Sequence, residues 1–368
     1  MKIKSLTVCN FRNLKRQTLS LCDNLNVFFG ANAQGKTNLL ESVYFCCLAK
    51  SPRTDKDKDL ICWNEENAEI SCSIEHVYGD SFVEVFLSRQ NSKKIKVNGN
   101  LLSKTSQLLG QLNCVFFSPQ EIRIISQSPQ DRRRFLDVDL CQLDKTYFFA
   151  LSRYNKTLIQ RNNLLKSDLS KNEIKNQIDV WDKQLAECGA IVSFKRKQFC
   201  KELAPFAKKT QLEVSANTET LVVDYVSQLK GESESEIYRN FLDGLQNSFD
   251  RDFEKRYTTI GCHRDDVDLL VNGISVRNFG SCGQQRTCAL SLKIAETEIF
   301  KNRTGEYPVL LLDDVLSELD EDRQNALLNF SNNIQVILTT AVPLPESARK
   351  NNVVKEFCIK GGQLTNND

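Results

Sequence analysis

One loop near the start of the chain limits the fold more than any other feature of the sequence. Residues 30–37, GANAQGKT, fit the pattern G-x-x-x-x-G-K-[ST]. The apolar run Leu25–Phe29 precedes the loop, and apolar residues at helical spacing follow it. A strand, a glycine-bounded loop and a helix in this order predict an α/β core whose loop binds phosphate at the positive end of the helix.

The residue types in this loop match the parts of a nucleotide. Glycines let backbone N–H groups turn toward a phosphate, Lys36 can reach the β and γ oxygens, and Thr37 offers a hydroxyl to Mg²⁺. The sequence has no N-K-x-D segment, which favours adenine over guanine, so we expect ATP and Mg²⁺ as cofactors. The predicted nucleotide contacts in the loop are Gly30, Ala31, Asn32, Ala33, Gln34, Gly35, Lys36 and Thr37.

A second, acidic motif lies near the other end of the chain. The apolar residues 309–312 precede Asp313 and Asp314, as expected of a buried strand that ends in carboxylates. Alone, two aspartates after a strand indicate only a turn or a helix cap. Together with the phosphate loop they predict that Asp313 holds Mg²⁺ through water and that Asp314 polarises the attacking water.

The segment 279–292, FGSCGQQRTCALSL, places a Gly/Ser turn before a helix. Such turns commonly only cap helices. In a chain with both nucleotide motifs, this turn resembles the signature motif of ATP-binding-cassette ATPases. That resemblance implies that Ser281, Gly283 and Gln284 contact the ATP of the opposite subunit, so that ATP closes a two-fold homodimer.

The chain is predicted to form two lobes, because 368 residues exceed what one core usually serves. Short β-type runs between residues 68 and 99 predict an antiparallel sheet beside the loop. After Pro129, apolar residues spaced four and three apart predict helices. Ser170 and Glu173 have the spacing of a capping box, and the helix that follows is predicted to end at Pro205.

The acidic residues 231–236 are predicted to form a surface linker. We therefore expect an α/β ATPase head of the ATP-binding-cassette type, with a mixed sheet, an antiparallel β subdomain and an inserted α-helical lobe. The predicted domains are residues 1–125 (head), 126–254 (helical lobe) and 255–368 (head).

Composition excludes several classes of protein. With 40% apolar and 26% charged residues the chain is that of a globular protein, and no apolar run is long enough to cross a membrane. We expect a cytoplasmic location and reduced cysteines. The fourteen cysteines form no C-x-x-C pair and the two histidines are far apart, so zinc is not expected.

A net charge of +2 excludes a generally polycationic nucleic-acid binder but allows a local basic patch. The run Arg132–Arg134 either contacts DNA or pairs with carboxylates such as Asp131 and Asp137. The second basic run, at residues 195–197, is predicted to be a solvated face.

Further motifs, in order over nearly the whole chain, carry a closer resemblance. They are NFRNL (10–14), GANAQGKTNLLE (30–41), FFSPQEIRII (116–125), SPQDRRRFLD (128–137), YNKTLIQRNNLLK (154–166), GCHRDD (261–266), FGSCGQQRT (279–287) and LLLDDVLSELD (310–320). With these segments the chain resembles the bacterial RecF family of ABC/SMC-type ATPases, without the long arms of SMC proteins.

The resemblance implies further site residues. Arg12 would approach the nucleotide phosphates, and Gln120 would lie in the loop that links the ATP site to the helical lobe. Thr340 would stand near the γ-phosphate, and Ser317–Asp320 would form the loop that crosses the dimer interface, with Asp320 close to the nucleotide. Lys36, Asp314, Gln120 and Thr340 would then be the catalytic group.

The resemblance also implies an activity. It is that of an ATP-dependent dimer that binds duplex DNA and single-strand/duplex junctions, and whose weak ATPase is stimulated by DNA. Such a protein acts with RecR and RecO to help load RecA at gaps, and supports replication, DNA-damage repair and the SOS response without membrane partners.

Three positions depart from the family pattern: Gln120 replaces a usual Glu, Cys262 a usual Pro and Cys282 a usual Gln. If the side chain of residue 282 contacts the partner's phosphate, that contact is weakened; if only its backbone does, little changes. Two alternatives stay open from the sequence. One is a transport-coupling ATPase, which the helical insertion and the altered signature disfavour, and the other is a nucleotide-switched protein scaffold with little hydrolysis.

Overall fold

The computed structural model describes residues 1–320, 323–324, 327–328, 333–344 and 353–366. Its elements run in chain order as β1 (Lys2–Cys9), β2 (Gln17–Ser20), β3 (Leu25–Phe29), α1 (Lys36–Leu48), β4 (Asn67–His76), β5 (Gly79–Ser88), β6 (Lys94–Val97), β7 (Asn100–Leu101), β8 (Cys114–Phe117), α2 (Arg123–Ser126), α3 (Pro129–Leu143), α4 (Lys145–Lys166), α5 (Lys171–Val214), β9 (Leu221–Val226), α6 (Glu234–Asn247), α7 (Phe249–Lys255), β10 (Asp266–Val271), β11 (Ile274–Ser275), α8 (Val276–Phe279), α9 (Cys282–Thr304), β12 (Val309–Asp313), β13 (Val336–Thr340), β14 (Val354–Lys360) and β15 (Gln363–Asn366).

These elements divide into two compact units. Unit 1 comprises Met1–Ile122, Lys209–Glu219 and Cys282–Asp368, and unit 2 comprises Arg123–Lys208 and Thr220–Ser281. The first of these boundaries lies close to the predicted one at residue 126. The return to unit 1 lies at residue 282 rather than 255, because a sheet that the sequence did not predict keeps residues 220–275 in unit 2.

The centre of unit 1 is a six-stranded sheet in the order β15-β14-β3-β13-β12-β8. All its pairs are parallel except β14 with β15. The strands β3, β12 and β13 are buried along their whole length, which is why they read as unbroken apolar runs. Because these strands are parallel, their carboxyl ends lie at one edge of the sheet.

The second sheet of unit 1 is antiparallel, in the order β2-β1-β4-β5-β6-β7. The predicted β-type runs form β4, β5 and β6, and Asn98 and Gly99 turn the chain between β6 and β7 with positive φ angles. Helix α1 contacts strands of both sheets and is buried on nearly every side. It therefore shows no polar face, as expected of a core helix. The mixed sheet and the β subdomain are those expected of an ABC-type head.

Unit 2 contains the long helices α3, α4 and most of α5, with a three-stranded sheet in the order β11-β10-β9. The capping box predicted at the start of α5 is present: the hydroxyl of Ser170 donates to the Glu173 carboxylate (2.6 Å), and the Glu173 amide donates back to that hydroxyl (3.4 Å). Every described helix is too short or too polar to span a bilayer.

Two local predictions about helix ends were wrong. Helix α5 does not end at Pro205 but continues to Val214. Pro205 is exposed, while Ala207 on the next turn is buried, so packing carries the helix past one missing hydrogen bond. The acidic run 231–236 is not only a linker, because Ser233 accepts a hydrogen bond from the Glu236 amide and caps α6.

The basic runs hold unit 2 together instead of forming an open patch. Arg132 is buried, and its Nε and Nη2 donate to both oxygens of Asp266 (2.6 and 3.0 Å), while Arg133 donates to the Asp265 carbonyl (2.6 Å). Pairing with a carboxylate is therefore correct for Arg132, although with Asp266 instead of Asp131 or Asp137, whereas Arg133 donates to a backbone carbonyl oxygen. The solvated face predicted at residues 195–197 was wrong for Arg196, which is buried and ion-paired to Asp137 (2.7 Å).

Candidate nucleotide-binding site

The predicted phosphate loop connects β3 to α1 at the carboxyl edge of the parallel sheet. Gly35 caps α1 with φ 113°, a conformation that side chains rarely adopt. At Gly30 a Cβ atom would stand 2.4 Å from the carbonyl oxygen of Ile359, so only glycine fits there. These two glycines let the loop bend back over the start of the helix, whose unpaired N–H groups attract anions.

Lys36 lies in the first turn of α1 and its side chain turns back over the loop. Its ammonium group donates to the carbonyl oxygens of Gly30 (2.5 Å) and Ala31 (3.0 Å). The residue is 7% exposed, so the charge is held in place rather than free in solvent. Ala31, Asn32 and Ala33 are exposed at the rim of the loop, with Ala33 at φ 64°. Loop and ammonium therefore form a cradle of the shape and charge that phosphate requires.

Gln34 accepts hydrogen bonds from a turn that lies far from it in the sequence. The turn between β14 and β15 donates the amide N–H of Gly361 to the Gln34 side-chain oxygen (2.6 Å) and that of Gly362 to its carbonyl oxygen (3.0 Å). No local pattern in the sequence indicates this contact, because the two segments are more than 300 residues apart.

The two predicted metal-binding side chains meet at this edge. The hydroxyl of Thr37 donates to Asp313 Oδ1 at 2.9 Å, and the hydroxyl of Thr339 donates to the same oxygen at 2.8 Å. Asp313 is 9% exposed at the end of β12. Hard oxygen donors that converge in this way suit Mg²⁺. Thr339 was not predicted as a site residue. The feature that could have indicated it is its position near the end of the apolar strand β13.

Asp314 leaves β12 with φ 51°, which a non-glycine residue adopts only when its surroundings fix it. Its amide N–H donates to both the hydroxyl (2.9 Å) and the carbonyl oxygen (3.2 Å) of Thr339. Thr340 ends β13, 8% exposed, and its hydroxyl donates to the Val342 carbonyl oxygen (2.9 Å). Gln120 lies exposed in a 3-10 helix, Pro119–Ile122, that follows β8 at the same edge. The parallel sheet thus brings together the segments that the sequence had separated by almost 300 residues.

Arg12 has a structural role that the sequence did not reveal. Its Nε and Nη2 donate to the two oxygens of Glu41 on α1 (3.0 and 2.9 Å), and its Nη1 donates to the Asp59 carbonyl oxygen (2.9 Å). Glu41 is 1% exposed and also accepts from the hydroxyl of Ser51 (2.5 Å). Arg12 therefore holds the helix that carries the loop, and its approach to phosphates stays a prediction.

The predicted signature residues stand at the start of α9. Ser281 is exposed and immediately precedes the helix, Gly283 is half-buried in its first turn, and the side-chain amide of Gln284 donates to Glu219 Oε1 (3.0 Å). Asp320 is exposed and accepts a hydrogen bond from the Arg323 amide (3.0 Å), the arrangement of a helix cap. The contact of these residues with a partner's nucleotide stays a prediction.

Sheet order, loop geometry and the two carboxylates define the class of protein: an ABC-type ATPase head with a phosphate loop and an acidic strand end. Comparison with known proteins agrees with this class. The family model described as "RecF/RecN/SMC N terminal domain" matches residues 2–355. A "DNA replication and repair protein RecF" of Clostridium tetani is 41% identical over 370 residues, covering all of both chains.

Solved structures give the same result. The structure described as "Structure of the recombination mediator protein RecF-ATPrS in RecFOR pathway" has a TM-score of 0.91 and 35% identity, covering 100% of this chain and 98% of that one. An Smc head bound to the C-winged helix domain of ScpA shares the fold, at a TM-score of 0.59 and 14% identity, covering 99% of this chain and 96% of that one. The chain belongs to the RecF family of ABC/SMC-type ATPases.

Proposed function

We propose that the chain is an ATP-dependent DNA-binding protein of replication and recombinational repair. The observation that carries this proposal is the phosphate loop, with Lys36 folded over it and Thr37 joined to Asp313, in a chain 41% identical along its full length to a DNA replication and repair protein. The relative whose structure is described as "RecF-ATP" supports ATP as the nucleotide.

Each residue of the site then has a defined task. The loop N–H groups and Lys36 hold the β and γ phosphates. Arg12, which pairs with Glu41, approaches the same phosphates. Thr37 and Asp313 would hold Mg²⁺, which when bound neutralises charge on the phosphate oxygens. Asp314 orients the attacking water, while Gln120 and Thr340 stand at the sheet edge beside the γ-phosphate position.

The second half of the site comes from another copy of the chain. Ser281, Gly283, Gln284 and Asp320 of one copy contact the nucleotide of the other, so that two ATP molecules join a two-fold dimer. The exposure of Ser281 and Asp320 at the surface supports this assignment.

The dimer binds DNA at gaps and stalled forks, hydrolyses ATP slowly with stimulation by DNA, and works with RecR and RecO to load RecA during repair and SOS induction. Arg132 and Arg133 are not the proposed DNA contacts, because their guanidinium groups are engaged within unit 2. Binding to the DNA backbone is expected to be salt-dependent and nearly independent of sequence.

Fluorescence anisotropy of a labelled gapped duplex tests the proposal. We expect the wild-type chain to bind the duplex with ATP and Mg²⁺, and to lose affinity steeply as salt rises. Lys36→Met, which removes the phosphate cation, is expected to lose the ATP-dependent part of binding. Lys94→Met is the matched control, because it makes the same change at an exposed strand position. Binding that ATP does not affect would contradict the proposal.

A further inference from the structure

The signature residue Gln284 is held by a carboxylate of its own chain. Its Nε2 donates to Glu219 Oε1 at 3.0 Å. Glu219 ends residues 209–219, here termed the return segment, which contains the last turns of α5 and belongs to unit 1 together with α9. The hydrogen bond is charge-assisted, and such bonds are about twice as strong as neutral ones.

A second glutamine fixes the carboxylate from the other side. Gln211 is fully buried in the return segment, and its Nε2 donates to Glu219 Oε2 at 2.8 Å. Within the described residues its Oε1 has no hydrogen-bond partner. The Glu219 amide donates to the Ser215 hydroxyl (3.1 Å), which fixes the backbone as well. The side chains of Gln211 and Ser215 therefore hold Glu219 in place beside Gln284.

The position of this carboxylate conflicts with the task proposed for Gln284. A phosphate only accepts hydrogen bonds, so Gln284 can offer both N–H groups of Nε2 to the partner's nucleotide only if it releases Glu219, which now accepts one of them. Binding of the partner's nucleotide and the present contact therefore compete.

We propose that Glu219 is a positioning residue that holds Gln284 within its own chain and restrains ATP-driven dimerisation until the hydrogen bond is released. This inference rests on the contact proposed above between Gln284 and the partner's nucleotide. Glu219 restrains dimer formation without touching the nucleotide of its own chain, so ATP binding to the monomer is independent of it.

Sedimentation of the full chain with ATP and Mg²⁺ tests this inference. Glu219→Gln keeps the size of the side chain and removes its charge, and we expect the protein concentration for half-maximal dimerisation to fall about tenfold, the factor that corresponds to one charge-assisted hydrogen bond. ATP affinity of the monomer stays unchanged. Glu213→Gln is the matched control, since Glu213 lies in the same segment and forms an ion pair with Lys209 (3.8 Å); it leaves dimerisation unchanged.

A double-mutant comparison separates this role from a general charge effect. In a Gln284→Ala background the restraint is already absent, so Glu219→Gln is expected to change nothing further. The inference is overturned if Glu219→Gln dimerises like the wild type or less readily, or if its gain persists without Gln284. A wild-type chain that stays monomeric at saturating ATP overturns the proposed dimer and this inference with it.

Discussion

At the scale of single residues, the site depends on which side chains share the oxygen atoms of Asp313. Thr37 and Thr339 both donate to Oδ1, and Thr339 also accepts the Asp314 amide. Thr339 therefore positions the Asp313 carboxylate, which we assign to Mg²⁺, and the backbone of Asp314, which we assign to the attacking water.

Substitution of this threonine should separate metal use from nucleotide binding. We expect Thr339→Val, which keeps the shape and removes the hydroxyl, to lower the ATPase rate about tenfold and to raise the Mg²⁺ concentration needed for half-maximal rate, because Asp313 loses one of its donors. Thr297→Val removes a buried hydroxyl of α9 that donates to the Ile294 carbonyl oxygen, and serves as the control. An unchanged Mg²⁺ requirement in Thr339→Val would show that Asp313 is positioned by other groups.

A single histidine gives unit 2 a dependence on pH. His263 accepts a hydrogen bond from the Tyr154 hydroxyl (2.6 Å), its Nε2 faces the Thr258 carbonyl oxygen (3.2 Å), and burial lowers its pKa to about 4. Since the unfolded chain takes up the proton near pH 6.5, folding stability is full above that pH and is lost as pH falls toward 4.

The resulting loss can be measured by comparing unfolding at pH 7 and pH 5. We expect the free energy of unfolding of the wild type to fall over this range by about 2 kcal/mol more than that of His263→Gln, since each pH unit between the unfolded-state and folded-state pKa values corresponds to about 1.4 kcal/mol. Glutamine can still accept the Tyr154 hydroxyl. The same pH dependence in both proteins would mean that His263 is not the group responsible.

At the scale of secondary-structure elements, α5 is the clearest conflict between local propensity and packing. Proline normally ends a helix because it lacks an N–H group and crowds the preceding turn. Here the helix has buried residues on both sides of Pro205, including Leu203 and Ala207. Burial of that face continues the helix to Val214, and beyond it the return segment contacts α9 through Glu219.

This conflict predicts that the proline destabilises the chain. Because Pro205 is exposed, Pro205→Ala removes no buried surface and restores the missing N–H group, and we expect the free energy of unfolding to rise by about 1 to 3 kcal/mol. Lys208→Ala, another exposed position of α5, is the control and should change stability by less than about 0.5 kcal/mol. A loss of stability in Pro205→Ala would indicate that the helix needs a bend there.

Comparison of the elements shows which features could be predicted from the sequence. Several patterns within about 20 residues predicted the structure correctly: the strand, loop and helix at residues 25–48, the β-type runs and the capping box at Ser170. The helix end at Pro205 was predicted wrongly, because tertiary packing overrides the local signal there. Partners that lie far apart in the chain left no local signal. Examples are Glu41 for Arg12, Asp137 for Arg196 and Glu219 for Gln284, each 29 to 65 residues from its partner. Since such pairs form only when tertiary packing brings elements together, periodicity could not reveal them.

At the scale of the whole molecule, the proposed scheme divides the ATP site into two halves. One chain carries both halves, but each half completes the site of another copy. The phosphate loop and the carboxylates lie at one edge of the parallel sheet, while Ser281 is exposed before α9. In that scheme a dimer of two copies of the chain closes two such sites. The central claim is therefore that hydrolysis requires two copies of the chain.

The ATPase rate per chain as a function of protein concentration, with and without duplex DNA, tests this claim most directly. We expect the rate to rise with concentration as dimers form and to rise again when DNA is added. Ser281→Arg, which places a bulky charge at the exposed signature turn, should bind ATP normally but keep a low rate at every concentration. A wild-type rate that is independent of both concentration and DNA would contradict the account, because one chain would then carry a complete site.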